Sequence, residues 1–304
     1  MVVTHGSLRS ARGGSTLTIG NFDGVHRGHR ALIERVVAKG RELGVSSCVL
    51  SFEPHPREFF AGDAAPARLT RLRDKLELLA AAGVERVHLM HFDARFAAMS
   101  AARFIDDVLL RGLGVAWLLV GRDFRFGAKR QGDFATLADA ARRRAFTLEA
   151  MPDVSFDGER VSSSAVRTAL AAGDFARAER LLGGPYTISG KVGPGARLGR
   201  KLGFPTANIA LAQRPPLAGI YVVEVEGLGR GVASVGRRPT VNPVAKPLLE
   251  VHLFDWDGEL YGRRLRVRFL RKLRDEAKFD DLAALRQAIA QDAEQARQYF
   301  ARHG

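Results

Sequence analysis

Two histidines three residues apart, His26 and His29, stand in the glycine-rich stretch of residues 20–29, GNFDGVHRGH. An apolar run over residues 17–19 precedes this stretch, and an amphipathic segment over residues 29–43 follows from it. The pattern predicts a strand, a tight turn and a helix start, which together place backbone N–H groups and a helix N-terminus against a phosphate. Histidines three apart on a helix lie on the same side of it. The stretch therefore predicts phosphate chemistry assisted by two imidazoles.

A plain surface turn is the alternative for this stretch, because Asn21, Asp23 and Gly24 are residue types that turns favour. The two histidines between a strand and a helix favour a functional site instead. Nucleotidyl transfer fits them, since attack on the α-phosphate of a nucleoside triphosphate needs hydrogen bonds or positive charge on the bridging oxygens and no covalent intermediate.

Apolar runs alternate with amphipathic segments through the first part of the chain. Each run is apolar nearly throughout, which indicates a parallel sheet buried on both faces. Ligands bind outside the carboxyl ends of such strands, so we expect three loops to meet there: the turn after residue 19, the Pro-His-Pro loop at 54–56 and the segment after Val120. The predicted strands cover residues 17–19, 46–52, 84–92, 115–120 and 146–151, and the predicted helices cover residues 29–43, 69–79, 101–110, 134–144, 165–172 and 175–182.

The pattern changes at residues 183–185, Gly-Gly-Pro. Short alternating strands separated by turns rich in Gly, Pro and Asp follow, and they predict a small antiparallel barrel. An amphipathic C-terminal helix presents an apolar face. We therefore predict two domains, over residues 1–184 and 185–304. The predicted barrel strands cover residues 186–192, 220–225, 231–235, 249–254 and 265–269, and the apolar helix positions are Leu282, Leu285, Ile289 and Ala293.

A second glycine-rich segment precedes the sequence Pro-Thr-Ala-Asn at 205–208. Glycines at this density are typical of a flexible loop, but Thr206 and Asn208 carry hard oxygen atoms suited to Mg²⁺ beside a phosphate. The spacing differs from that of a Walker loop.

A kinase also needs a group that orients or deprotonates the acceptor hydroxyl. Glu250 stands in an apolar strand, where an acidic side chain needs a reason, whereas the other candidates are turn residues or their neighbours: Asp255, Asp257 and Glu259.

Composition restricts the class of protein. The 304 residues are 46% hydrophobic and 26% charged, which is typical of a globular chain. A single cysteine, Cys48, excludes a disulfide framework, and no apolar stretch is long enough for a membrane helix. We therefore expect a soluble, cytoplasmic protein. The net charge of +14 allows nucleic-acid binding, but small polyanionic substrates explain a charge spread over both halves equally well.

Five further segments, taken with residues 20–29, resemble the family of bifunctional bacterial riboflavin kinases/FMN adenylyltransferases. His26 to His29 form the HxGH signature of the nucleotidylyltransferase superfamily. The resemblance covers residues 15–300, approximately, with the motifs in order. The further segments are residues 51–56 (SFEPHP), 120–127 (VGRDFRFG), 161–167 (VSSSAVR), 199–208 (GRKLGFPTAN) and 273–279 (LRDEAKF).

For the adenylyltransferase, the resemblance implies that His26 and His29 stabilise the triphosphate of ATP. It implies that Arg167 contacts the β/γ end and that Ser163 and Ser164 donate to phosphate. The remaining nucleotide- or flavin-binding positions implied in this half are Gly20, Asn21, Phe22, Asp23, Gly24 and Asp123.

For the kinase, the resemblance implies that Thr206 and Asn208 hold Mg²⁺ and the nucleotide phosphates, and that Glu250 is the catalytic glutamate. Ser234 departs from the family pattern, because an asparagine is usual at its position, whereas Arg238 and Thr240 keep the pattern. The other ligand-binding positions implied are Gly193, Gly199, Arg200, Lys201 and Arg274.

The resemblance thus implies an enzyme that phosphorylates riboflavin to FMN with ATP and then adenylylates FMN to FAD, releasing pyrophosphate, with Mg²⁺ in both steps. The expected partners are ATP, riboflavin, FMN and FAD, with no nucleic acid and no membrane, and the sequence leaves homo-oligomerisation open. Two alternatives remain: an enzyme in which one domain has become inactive, and a basic nucleic-acid-binding protein.

Overall fold

The computed structural model describes residues 1–6, 13–144, 146–195, 198–237 and 247–303, apart from the side chains of Leu198, Lys201 and Arg237. The chain divides into two compact units. The first comprises Met1–Pro66 and Leu72–Val161, and the second comprises Ala67–Arg71 and Ser162–Gly304. None of the helices in the described ranges has the length and apolarity needed to cross a membrane.

The first unit contains a six-stranded, fully parallel sheet in the order β1-β4-β3-β2-β5-β6. Five of its strands were expected from their apolar runs. The edge strand β1 was not, because its four residues are mostly exposed and carry no buried pattern. The strands are β1 (Val2–His5), β2 (Ser15–Ile19), β3 (Ser46–Glu53), β4 (Arg86–His91), β5 (Val115–Gly121) and β6 (Thr147–Met151).

Helices cover both faces of this sheet, as the apolar strands require. Leu17 and Leu50 belong to the core on one face, and Val49 belongs to the core on the other. The helix predicted over residues 101–110 is α-helical only at its start and continues as a π-helix over Phe104–Gly112. The α-helices of this unit are α1 (Arg27–Leu43), α2 (Pro56–Ala61), α3 (Leu72–Ala81), α4 (Ala94–Ala97), α5 (Ala101–Arg103) and α6 (Phe134–Arg144).

Helix α1 packs on the sheet through Gly40, which is buried. A Cβ at Gly40 would lie 2.9 Å from the carbonyl oxygen of Val45 and 3.0 Å from Oγ1 of Thr16. Gly40→Ala is therefore expected to lower the free energy of unfolding by about 1–3 kcal/mol in urea titrations, although alanine ordinarily stabilises a helix interior. The control is Ala38→Gly on the exposed face of α1, which measures the propensity difference of about 1 kcal/mol alone. A Gly40→Ala protein more stable than the wild type would contradict this packing.

The second unit contains a closed antiparallel barrel in the order β10-β13-β12-β11-β14-β9. Its sixth strand, β10, was not expected, since it has only four residues and lies within the motif at 199–208. Together with the parallel sheet, the barrel and its C-terminal helix confirm the predicted fold class. The barrel strands are β9 (Thr187–Gly193), β10 (Ala207–Ala210), β11 (Gly219–Val225), β12 (Gly229–Arg237), β13 (Pro247–Leu253) and β14 (Arg264–Arg274).

The remaining elements are a hairpin of two short strands and two 3-10 helices (Gly62–Ala64 and Ala128–Arg130) in the first unit, and four helices in the second. Ser162 caps the helix that follows it, as expected, because its side chain accepts a hydrogen bond from the backbone N–H of Ala165 at 3.1 Å. These elements are β7 (Ser155–Phe156) and β8 (Glu159–Arg160), followed by α7 (Ser163–Ala171), α8 (Phe175–Leu182), α9 (Leu198–Lys201) and α10 (Leu282–His303).

Candidate functional site

The turn between β2 and α1 has an unfavourable backbone that its surroundings hold in place. Phe22 and Val25 have φ values of 49° and 40°, although neither is glycine. Such conformations cost about 1–3 kcal/mol each and persist only where neighbouring groups fix them. Both side chains are buried, and the Arg30 guanidinium donates to the carbonyl of Val25 at 3.2 Å. The turn is therefore a fixed platform for the start of α1.

His26 and His29 form a stacked pair at the start of α1. Their ring centroids lie 3.6 Å apart with an angle of 15° between the planes. Nδ1 of His26 accepts a hydrogen bond from the backbone N–H of His29 at 3.3 Å, which makes His26 the N-cap of the helix. An accepting Nδ1 carries no proton, so the neutral His26 ring carries its proton on Nε2 and can donate from there. The expectation that both rings lie on one side of the helix start is confirmed.

The surroundings of His29 favour its neutral form. Burial lowers the pKa of His29 well below its ordinary value of 6.5, and the electrostatic influence of His26 and then of Lys75 lowers it further. Its Nδ1 is buried without a hydrogen-bond partner among the described residues. A histidine could stabilise phosphate oxygens by its positive charge or by hydrogen bonding, and the burial of His29 favours hydrogen bonding from a neutral ring.

A cavity of about 620 Å³ opens at the carboxyl ends of the parallel strands. The loops after β2, β3 and β5 all line it, which confirms the predicted convergence. Its wall is largely aromatic, and its polar lining includes four cationic side chains, so it suits a flat ring system that carries an anionic group. The aromatic residues are Phe52, Phe60, Phe92, Phe96, Phe104, Phe124 and Phe126, and the cationic ones are Arg57, Arg125, Lys129 and Arg130.

The predicted ligand-binding residues of this unit are only partly in the cavity wall. Gly20, Asn21 and Asp123 line the cavity. Phe22 is 1% exposed and belongs to the core against helix α1, where its ring lies 5.0 Å from that of His29. Asp23 is buried in the turn, and neither it nor its neighbour at 24 is part of the cavity wall. Phe22 therefore supports the histidine pair from the core.

Ser163, Ser164 and Arg167 lie on helix α7, in the second unit. The two serines occupy the first turn of the helix, where backbone N–H groups are available to an anion. The guanidinium of Arg167 donates to the carbonyl of Ala67 at 2.6 Å. Their assignment to the triphosphate of ATP stays a prediction.

Glu250 lies at the centre of a row of three side chains on neighbouring barrel strands. In register it stands opposite Asn208 of β10 on one side and Ser234 of β12 on the other. Leu249 and Val251 are buried, so alternation along β13 turns Glu250 to the opposite face, where it lines a cavity of about 470 Å³. The acidic residue within an apolar strand is thus explained by a cavity, and Ser234 lines the same cavity.

Asn208 and Thr206 offer oxygen atoms beside this cavity. Asn208 is 6% exposed, and its amide nitrogen donates to the carbonyl of Thr206 at 3.1 Å. Its Oδ1 atom is buried without a hydrogen-bond partner among the described residues. A buried acceptor left unpaired is unfavourable unless a cation or donor joins it, so this donor set fits Mg²⁺.

Thr206 also lines a second barrel cavity, of about 340 Å³. Arg200, Trp256 and Tyr261 contribute to its wall, which combines a cation with aromatic faces and therefore suits a nucleotide. Because Thr206 borders both cavities, a phosphate group bound near it would face the cavity that contains Glu250.

Two acidic residues of the 470 Å³ cavity were not predicted as site residues from the sequence. Asp292 of helix α10 is 4% exposed and accepts two hydrogen bonds from Arg274, at 2.8 and 2.7 Å. Glu276 also lines the cavity, and burial together with the charge of Glu250 raises its pKa. The sequence carries one signal for Asp292. This acidic residue falls on the apolar stripe of α10, on the same side as Ile289.

The other predicted residues of the barrel have varied positions. Gly199 and Arg274 line the 470 Å³ cavity, and Arg200 lines the smaller one. Gly193 ends strand β9 and borders neither. The side chain of Lys201, and Arg238 and Thr240 as a whole, lie outside the described residues.

Comparisons with known proteins match both halves of the chain. Residues 8–165 match the family model of FAD synthetase, and residues 182–300 match that of riboflavin kinase. A bifunctional riboflavin kinase/FMN adenylyltransferase from Pseudomonas fluorescens is 51% identical over 295 residues, covering 96% of this chain and 94% of that protein. One from Escherichia coli (strain K12) is 48% identical over 301 residues, covering 97% and 96%.

A solved structure also matches along the whole chain. It is described as a macrolide-efflux protein from Streptococcus pneumoniae, has a TM-score of 0.79 and 26% sequence identity, and the match covers 98% of this chain and 99% of that one. The order of the two family matches and the extent of the relatives confirm the resemblance inferred from the motifs. The chain belongs to the bifunctional riboflavin kinase/FMN adenylyltransferase family and contains both a FAD synthetase domain and a riboflavin kinase domain.

Proposed function

We propose that the chain makes FMN and FAD at two separate sites, one in each of the domains proposed over residues 1–184 and 185–304. The observation that carries this proposal is that each unit has its own cavity with its own chemistry. The cavity of the first unit is aromatic and cationic and adjoins the turn that leads to the histidine pair. The cavity of the second unit is lined by the Glu250 carboxylate and by Thr206, and Asn208 stands opposite Glu250 on the neighbouring strand. The functional boundary is proposed at residues 184–185, just after the riboflavin kinase match begins at residue 182 and before β9 begins at Thr187.

For the kinase step, riboflavin occupies the 470 Å³ cavity and ATP the 340 Å³ cavity. Glu250 orients the 5′-hydroxyl of riboflavin and accepts its proton as the oxygen bonds to the γ-phosphorus, while the bond to the ADP oxygen breaks. Oγ1 of Thr206 and Oδ1 of Asn208 would hold Mg²⁺, which neutralises charge on the phosphates when bound. Arg274, fixed by Asp292, borders the riboflavin cavity.

For the adenylyl step, the isoalloxazine ring of FMN occupies the phenylalanine-lined cavity. An oxygen of the FMN phosphate attacks the α-phosphorus of ATP, and pyrophosphate leaves. His26 and His29 donate hydrogen bonds from their neutral rings to the oxygens on which negative charge accumulates. Ser163, Ser164 and Arg167 are proposed to bind the remaining phosphates.

The test of both activities is a single incubation. The protein is mixed with riboflavin, ATP and Mg²⁺, and the flavins are separated by chromatography. We expect FMN to appear first and FAD to follow. FMN without FAD would contradict the adenylyltransferase assignment, and conversion of added FMN without use of riboflavin would contradict the kinase assignment.

Loss of a proposed magnesium ligand gives a sharper test of the barrel site. Asn208→Ala removes the unpaired Oδ1 atom, so we expect the Mg²⁺ concentration for half-maximal FMN formation to rise by about 10- to 100-fold. The Mg²⁺ dependence of FAD formation from added FMN should stay unchanged. Gln287→Ala, which removes an exposed amide from α10, is the control. An unaltered Mg²⁺ dependence in Asn208→Ala would exclude Asn208 as a ligand.

The partners proposed are small molecules: ATP, riboflavin, FMN and FAD, and not nucleic acid. A cytoplasmic location is proposed because ATP is the co-substrate of both steps. The net charge of +14 then attracts polyanionic substrates.

A further inference from the structure

Lys75 is a lysine buried beneath the histidine-bearing turn of the first unit. It lies on helix α3 and is 3% exposed, although lysine side chains are almost never fully buried without partners. Its ammonium group donates to the carbonyl of Asn21 at 3.1 Å and to Oγ of Ser51 at 3.2 Å. A single charge therefore joins α3 to the end of the central strands β2 and β3.

The carbonyl of Asn21 is where the turn begins. Asn21 lines the 620 Å³ cavity, and the next residue, Phe22, has a φ of 49°. Ser51 also donates to this carbonyl, at 3.4 Å, so the oxygen lies between a hydroxyl and an ammonium group. If the ammonium were lost, the turn would lose the charge-assisted bond that holds its first peptide.

The same ammonium group acts on His29. The ring of Phe22 contacts the ring of His29, so the turn fixes the position of the histidine from below. Two charged or titratable groups act on the pKa of His29: His26, at the start of the same helix, and Lys75, on the helix that packs under the turn. Lys75 therefore contributes both to the position of the turn and to the charge state of the histidine.

We propose that Lys75 is a positioning residue for adenylyl transfer to FMN, acting through the carbonyl of Asn21 on the turn that carries His26 and His29. This inference rests on the proposed assignment of His29 to the adenylyl step. Lys75 touches neither substrate in this proposal. Its ammonium group keeps the turn in the conformation that the transition state needs, and its charge opposes protonation of His29.

The test compares Lys75→Met, which removes the charge, with Lys75→Arg, which keeps it. FAD formation from FMN is measured as kcat and KM across a range of pH. In Lys75→Met, kcat should fall by about 10- to 100-fold, more than the KM for FMN rises. The acid limb of the profile should move to higher pH, because loss of a nearby positive charge raises the pKa of His29 towards 6.5. Lys75→Arg should keep the wild-type acid limb and recover most of the lost kcat.

Arg73→Met is the matched control, because Arg73 is a cation on the same helix whose side chain is 69% exposed and paired with Glu77. It should leave the profile unchanged. Each profile is normalised to its own maximum, so a smaller folded fraction does not move the acid limb. FMN formation from riboflavin should stay unchanged in all three variants.

An acid limb in Lys75→Met that coincides with the wild type would overturn the proposal, as would a kcat unaffected by the change. If Lys75→Met has no measurable activity, Lys75→Arg decides: an arginine variant equally inactive contradicts the proposal, and one with the wild-type acid limb supports it. His29→Ala is measured alongside. If His29→Ala keeps full activity, the site assignment fails; if it is inactive while Lys75→Met is normal, only the role of Lys75 fails.

Discussion

Glu250→Gln is expected to reduce the formation of FMN from riboflavin by about 10²- to 10⁴-fold. The amide has nearly the shape of the carboxylate and can remain in the row between Asn208 and Ser234. It has no basicity, however, and so cannot take the proton of the 5′-hydroxyl. The loss should appear in kcat more than in the KM for riboflavin, because the cavity wall is otherwise intact. Steady-state FMN formation with saturating ATP and Mg²⁺ measures both constants.

The matched control for Glu250→Gln is Glu226→Gln. Glu226 follows strand β11 in the same unit, and its side chain is 71% exposed. The Glu226→Gln substitution should leave FMN formation unchanged. Formation of FAD from added FMN serves as a second control, since that reaction is assigned to the other site. A Glu250→Gln protein that made FMN at the wild-type rate would remove Glu250 from the chemistry, and equal loss of both activities would contradict separate sites.

Glu276 bears on how Glu250 works. Its carboxyl shares the cavity with Glu250, and the charge of Glu250 contributes to the raised pKa of Glu276. Two carboxylates in one cavity disfavour ionisation of both. Burial and the charge of Glu250 thus make Glu276 easier to protonate than an isolated carboxyl.

The local patterns of the sequence were sufficient for most of the fold. Apolar strands and helical periodicity depend on near neighbours in the chain, so five parallel strands and five barrel strands could be predicted. Strands β1 and β10 could not. Each has four residues, and each is defined by pairing with a distant strand: β1 with β4, and β10 with β13 and β9. Pairing between distant segments leaves little trace in a short stretch of sequence.

In the candidate sites too, residues that are close together in the sequence could be predicted, whereas residues brought together from distant segments could not. Residues 20–29 and 199–208 could be found because their types and spacing carry the chemistry within ten residues. The aromatic wall could not, since Phe60 lies on helix α2, Phe92 and Phe124 lie in two separate loops, and each alone is an ordinary apolar residue. Lys75 was missed for a related reason, because a lysine within a helical pattern is normally exposed.

His29→Ala is expected to reduce the formation of FAD from FMN by about 10²- to 10³-fold, the loss typical when one preorganised donor to a developing negative charge is removed. FMN formation from riboflavin should be unchanged. His29 stacks on His26, so the alanine also removes the ring that packs against one face of His26. His29→Asn, which retains an N–H donor, should recover part of the activity. Both rates are measured by chromatography of the flavins.

The pH dependence of the wild-type enzyme adds an independent check on His29. Its pKa lies well below 6.5, so the ring is neutral near pH 7 and becomes charged only in more acidic solution. If the neutral ring is the active form, FAD formation holds as the pH falls to 6.5 and declines only below it. A cationic role predicts the opposite, with activity rising in acid. His5→Ala, an exposed histidine on β1 of the same unit, should reproduce the wild-type profile. An increase of FAD formation in acid would exclude the neutral-donor mechanism, while a retained rate in His29→Ala would remove His29 from the site altogether.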